Sequence, residues 1–95
     1  MKFVIILADD RITEAVEQLL DDDNLPGFTE IPSVIGRGSH GKKAGTRAFP
    51  GSTNVFFTAV RPAELDALLV KLKHLREATD DEGLHVFALD AMELV

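Results

Sequence analysis

Two stretches of this chain are apolar on both sides of an extended backbone. In Lys2–Ala8, Phe3, Ile5 and Leu7 point one way and Val4, Ile6 and Ala8 the other. In Ser52–Val60, Val55, Phe57 and Ala59 oppose Phe56, Thr58 and Val60. A strand with one face in water alternates apolar and polar residues. Neither stretch does, so both belong in the middle of a sheet with cover on each face.

The remaining elements fit around these two. Asp9 and Asp10 offer N-caps to a helix over Ile12–Leu20, where Ile12, Ala15, Val16, Leu19 and Leu20 recur at helical spacing. Three aspartates at 21–23 oppose the macrodipole at the helix end and read as a solvated terminus. Pro26-Gly27 is a turn. Phe28–Ile35 is a strand that Pro32 confines to an edge or a bulge. Arg61-Pro62 opens a second helix over Ala63–Ala78, with Leu65, Leu68, Leu69, Leu72 and Leu75 as its stripe. Thr79–Gly83 is a turn, and Leu84–Val95 a last strand that bends near Asp90. The order β-α-β-β-α-β in one domain, residues 1–95, is the α+β, ferredoxin-like arrangement. Right-handed crossovers put the two doubly apolar strands side by side in a four-stranded antiparallel sheet, with both helices on one face. No third helix exists to cover the other face. The expectation is that further copies of the chain cover it, sheet against sheet.

Charge is distributed unevenly. Gly36–Gly51, GRGSHGKKAGTRAFPG, holds five of the seven glycines, Arg37, Lys42, Lys43 and Arg47, and no acid. This stretch carries +4, which leaves −10 on the rest of a chain whose net charge is −6. Glycines such as Gly38 and Gly41 let backbone amides approach a ligand, and the cations suit a phosphate, a carboxylate or an acidic protein surface. Gly36–Gly41 matches G-x-G-x-x-G, but the continuation KKAGTRAFPG cannot form the helix of a dinucleotide fingerprint. Gly36–Lys43 matches the start of a P-loop, yet Lys43 stands where Ser or Thr should hold magnesium. What remains is a long basic loop that binds an anion.

An acidic chain without Trp or Tyr does not suit nucleic acid. No apolar run is long enough to span a membrane, and the short Phe3–Ala8 run ends in aspartates rather than a signal-peptide cleavage site. The absence of cysteine fits a cytoplasmic protein and excludes thiolate metal sites.

The element order, the long basic glycine-rich loop and the TDDEG turn together resemble the nitrogen-regulatory PII signalling superfamily, over nearly the whole chain. The resemblance implies a homotrimer with its sheets facing inward and adenine nucleotides in the clefts between subunits. Gly36–Pro50 would be the T-loop, which docks on a transporter or an enzyme. Thr79–Gly83 would be the B-loop, bringing Thr79 and Gly83 to the ligand. The family signature continues Gly-[Asp/Tyr]-Gly-[Lys/Arg]; this chain has Gly83-Leu84-His85-Val86 and no tyrosine for nucleotidylation. Arg37, Lys42, Lys43 and Arg47 would then have to make the phosphate contacts.

Relatives of this fold are also associated with metal tolerance, which raises a divalent metal as the alternative ligand. His40 in the loop and His85 in the last strand are the candidate ligands, although no two histidines stand at ligand spacing. A catalytic role has little to rest on. Asp9, Asp10 and Glu30 are acids near strand ends, and Ser39–His40 lacks an orienting partner, so the chain reads as a regulator and not an enzyme.

Overall fold

The computed structural model describes residues 1–22, 24–38, 41–43, 45, 51–79 and 83–95. The elements run β1 (Lys2–Asp9), α1 (Thr13–Leu20), β2 (Thr29–Val34), β3 (Gly36–Gly38), β4 (Gly41–Lys43), β5 (Thr53–Val60), α2 (Pro62–Ala78) and β6 (Leu84–Asp90). The main sheet has the order β2-β5-β1-β6 and is antiparallel throughout. The two doubly apolar strands, β1 and β5, are its central pair, as their composition requires.

Both helices lie on one face. The core there combines Val4, Ile6, Ala8, Phe56 and Val60 from the sheet with Ile12, Val16 and Leu20 from the α1 region. From α2 it takes Leu65, Leu68 and Leu72, with Leu69 and Leu75 packed against its margin. Each such side chain contributes roughly 1.5–3 kcal/mol by leaving water.

The other face is also apolar, and no helix among the described residues covers it. The strand register lines up three rows across it: Leu89–Phe3–Ala59, Phe87–Ile5–Phe57–Thr29, and His85–Leu7–Val55–Ile31. The Phe3 and Phe57 rings stack at 5.6 Å between centroids. Phe87, Leu89 and Ile31 are 56%, 57% and 43% exposed, values expected of charged surface and not of large apolar side chains.

The sequence expectations fail in four local places. Neither Asp9 nor Asp10 caps α1. The Asp9 carboxylate accepts from the Arg11 amide and its Nε, while Asp10 accepts from the Ser52 amide at 3.1 Å. Ile12 occupies the cap position without a side-chain bond, and the helix begins at Thr13. The aspartates after α1 are not simply solvated, since Asp22 accepts from Lys71 Nζ at 2.9 Å and joins the two helices. The last strand stops at Asp90, where Lys2 Nζ pairs with the Asp90 carboxylate; residues 91–95 form no regular element. The glycine-rich segment is not wholly irregular: β3 and β4 form a short antiparallel ladder.

Candidate functional site

The cationic hairpin is built at one end of the sheet. β1 ends there at Asp9, β5 begins at Thr53, β6 begins at Leu84, and Val34 of β2 pairs with Thr53. Pro32 accounts for how the chain leaves β2. The register of β2 on β5 slips between Ile31 and Val34, and Ser33 sits at φ 56°, a left-handed conformation rare outside glycine. The unpaired amide made by the bulge is satisfied by the Asn54 side chain, whose Oδ1 accepts from Ser33 N at 3.1 Å. That bulge turns the chain out of the sheet and into the hairpin.

Within the hairpin, Gly36 pairs with Lys43, Arg37 with Lys42, and Gly38 with Gly41. Directly opposed residues share a face of a ladder, so Arg37 and Lys42 stand side by side. Like charges so placed repel, and an anion between them offsets the repulsion. Of the expected ligand residues, Arg37, Gly38, Gly41, Lys42 and Lys43 therefore fall within one small element.

Gly83 lies at the same end of the sheet. Its carbonyl accepts from Asp9 N at 2.8 Å, which fastens the turn before β6 to the end of β1. Its φ is +75°, and a Cβ there would stand 2.6 Å from the Asp9 Cβ, so glycine is needed both for conformation and for space. Beside it, Asp10 N donates to the Ser52 carbonyl at 3.0 Å and closes the base of the 36–51 segment. Thr79 is differently occupied. Its hydroxyl donates to the Leu75 and Arg76 carbonyls at 3.0 and 3.1 Å, capping the end of α2. Arg47 and His40 lie outside the described residues.

Sequence reasoning missed Arg11. It lies two residues past the end of β1, its Nε donates to the buried Asp9 carboxylate at 3.0 Å, and its side chain is otherwise exposed at the Gly83 end of the sheet. Its position just past a strand whose end meets the hairpin was the available signal. His85 is the second residue of β6. It lies in the open-face row with Leu7, and among the described residues no group of three or more His, Asp or Glu side chains could hold a metal ion.

A cleft of about 390 Å³ opens at the opposite end of the molecule, between the segment after α1 and the start of α2. Its charges pair within it, Lys71 with Asp22 at 2.9 Å and Arg61 with Glu64 at 3.1 Å.

The sheet order, the two helices on one face and the hairpin between β2 and β5 define a class: the fold is that of the PII-like nitrogen-regulatory proteins. In particular, the structure is similar to CPII, a nitrogen regulatory PII-like protein from Thiomonas intermedia K12, in its form bound to ADP, AMP and bicarbonate. The TM-score is 0.75 at 24% identity, over 93% of this chain and 82% of that one. It is also similar to CPII bound to ADP and bicarbonate, with TM-score 0.74 and 25% identity over the same shares. The apo form of CPII gives TM-score 0.69 at 19% identity, covering 93% and 85%. No family profile and no curated protein sequence matches the chain. No helix among the described residues is long and apolar enough to cross a membrane.

Proposed function

We propose that this chain is a cytoplasmic PII-like regulator that binds an adenine nucleotide, or an anion of similar chemistry, at the hairpin end of its sheet. The carrying observation is the pairing of Arg37 with Lys42 in a hairpin fastened to the same sheet end as Gly83. Arg37, Lys42, Lys43, Arg47 and Arg11 supply the positive charge, and Gly38, Gly41 and Gly83 leave backbone amides accessible to phosphate oxygens. The family's basic residues after the last glycine are absent, so the phosphate contacts fall to the cations of the loop and to Arg11. Thr79, with its hydroxyl committed to α2, acts by shaping the turn.

Three copies assemble through the open apolar face, and the ligand lies in the cleft between neighbours. Nucleotide bound there orders the 36–51 loop into one of its conformations, and a transporter or an enzyme reads that conformation. Nothing in this role requires catalysis. The likeness to CPII with ADP, AMP and bicarbonate supports the choice of ligand. It also nominates bicarbonate as a second, smaller anion.

Titration calorimetry with ADP and AMP, each with and without bicarbonate, tests the reading. The wild type should bind ADP. The double variant Arg37→Ala/Lys42→Ala should lose at least about tenfold in affinity, the scale of one charge-assisted hydrogen bond. Absence of heat with every ligand would reject the nucleotide reading.

A further inference from the structure

The β2 bulge is held by a side chain that the proposed ligand site does not use. The register pairs Ile31 with Val55 and Val34 with Thr53, so Pro32 and Ser33 both lie opposite Asn54. Pro32 has no N–H to give. Asn54 is only 8% exposed, with Ala8 beside it on β1 and Phe56 next on the same face of β5. A polar side chain is tolerated in such a place when its groups are bonded. The Asn54 Oδ1 accepts from the Ser33 amide at 3.1 Å, and its Nδ2 donates to the Glu30 carboxylate. One amide therefore holds the chain on both sides of Pro32.

Asparagine suits this task. The Ser33 N–H needs an acceptor and the Glu30 carboxylate needs a donor, which fixes the way the amide faces. Aspartate could serve Ser33 but would repel Glu30, and leucine could serve neither. Ser33 itself is left-handed, at φ 56°, and a serine keeps that conformation where its surroundings impose it. Gly36 follows three residues on, and a Cβ there would lie 3.9 Å from Thr53 Oγ1. The hairpin thus leaves the sheet against the residue next to Asn54.

We propose that Asn54 is a positioning residue for the anion site: its hold on both sides of the bulge sets the angle at which β3 leaves the sheet, and so where the Arg37–Lys42 pair stands relative to Gly83. A rotation about one backbone bond at Ser33 swings everything beyond it. The effect on binding rests on the ligand reading above. The effect on hairpin placement does not, because the three side chains and the bulge are there whatever the hairpin binds.

The two effects are measured separately. The chain has no cysteine, so Lys43→Cys on β4 and Glu77→Cys at the exposed end of α2 accept a pair of nitroxide labels. Labelled chain is diluted into unlabelled chain, and the distance distribution is read by pulsed electron resonance without ligand. ADP affinity is read by calorimetry on the unlabelled variants. Asn54→Asp keeps the acceptor for Ser33 but sets two carboxylates against each other. It should shift or broaden the distribution and weaken ADP about tenfold, the scale of one charge-assisted contact. Glu30→Ala, at a half-buried position, releases the same arm without adding charge and should move the distribution likewise. Asn54→Asp/Glu30→Gln exchanges donor and acceptor and should restore both readings. A side chain that only stabilised the fold would lower the urea midpoint and leave distance and affinity unchanged. An unchanged distribution in either single variant, or a double variant that behaves as Asn54→Asp, would overturn the proposal. A wild type that binds no ADP would reject the ligand reading, and the distances alone would then decide the role of Asn54.

Discussion

Gly83 is the residue at which conformation and space are both restricted. Gly83→Ala would force a Cβ into left-handed backbone and against the Asp9 side chain, at a cost of ~1–3 kcal/mol. A urea midpoint measured against wild type checks this; an unchanged midpoint would mean the turn relaxes without cost. Two glutamates should respond to pH in opposite senses. Glu64 accepts from the Arg61 amide and Nε at the start of α2, and the Arg61 side chain and then its backbone amide hold the Glu64 carboxyl below its ordinary 4.5. Its contribution is complete above pH 4.5 and lost as pH falls through the lowered value. Glu17 is shifted upward, so the folded state keeps its proton where the unfolded chain gives it up. Stability is favoured below 4.5 and lost as pH rises through the folded value. Glu17→Gln should therefore melt above wild type at pH 7, with the gap closing toward pH 4.5, while Glu64→Gln should melt lower at pH 7 and converge with wild type in acid. Thermal scans from pH 3 to pH 8 distinguish the two signs.

At the scale of elements, legibility followed the range of the interactions. The central strands could be read because their character is written in consecutive residues, and the α2 stripe because it repeats over seventeen positions. Pro32 announced both an edge and a bulge, and β2 is both. The helix α1 was placed to within one residue, but its cap was misassigned because the Asp9 and Asp10 side chains are recruited by Arg11 and by Ser52, the latter 42 positions away. A capping rule sees only neighbours. The β3–β4 ladder was unreadable because GRG and GKK contain no strong strand-forming residue. The contacts of Asn54 with Glu30 and Ser33 join residues more than twenty positions apart and have no local signature. The cations of the candidate site were legible as a charge cluster, but Arg11 was not, because only the fold brings the end of β1 beside Gly83. Phe56 links these elements beneath the helices, and Phe56→Ala should cost ~3–5 kcal/mol, read as a shifted denaturation midpoint.

The whole molecule is asymmetric in its burial. One face of the sheet is closed by helices, and the other presents Phe3, Ile5, Leu7, Val55, Phe57, Phe87 and Leu89 with no helix over it among the described residues. A patch of that kind on a stable protein marks a contact surface. The account assigns it to further copies, which would bring the hairpin of one chain to the cleft beside the next. Phe87 lies on an edge strand and is more than half exposed, so Phe87→Asp should leave the fold intact and separate the copies. Sedimentation equilibrium of the wild-type chain at micromolar concentration tests the assembly most directly. The account predicts a single species at three times the chain mass, reduced to one chain mass by Phe87→Asp; a wild-type chain that sediments alone would contradict it.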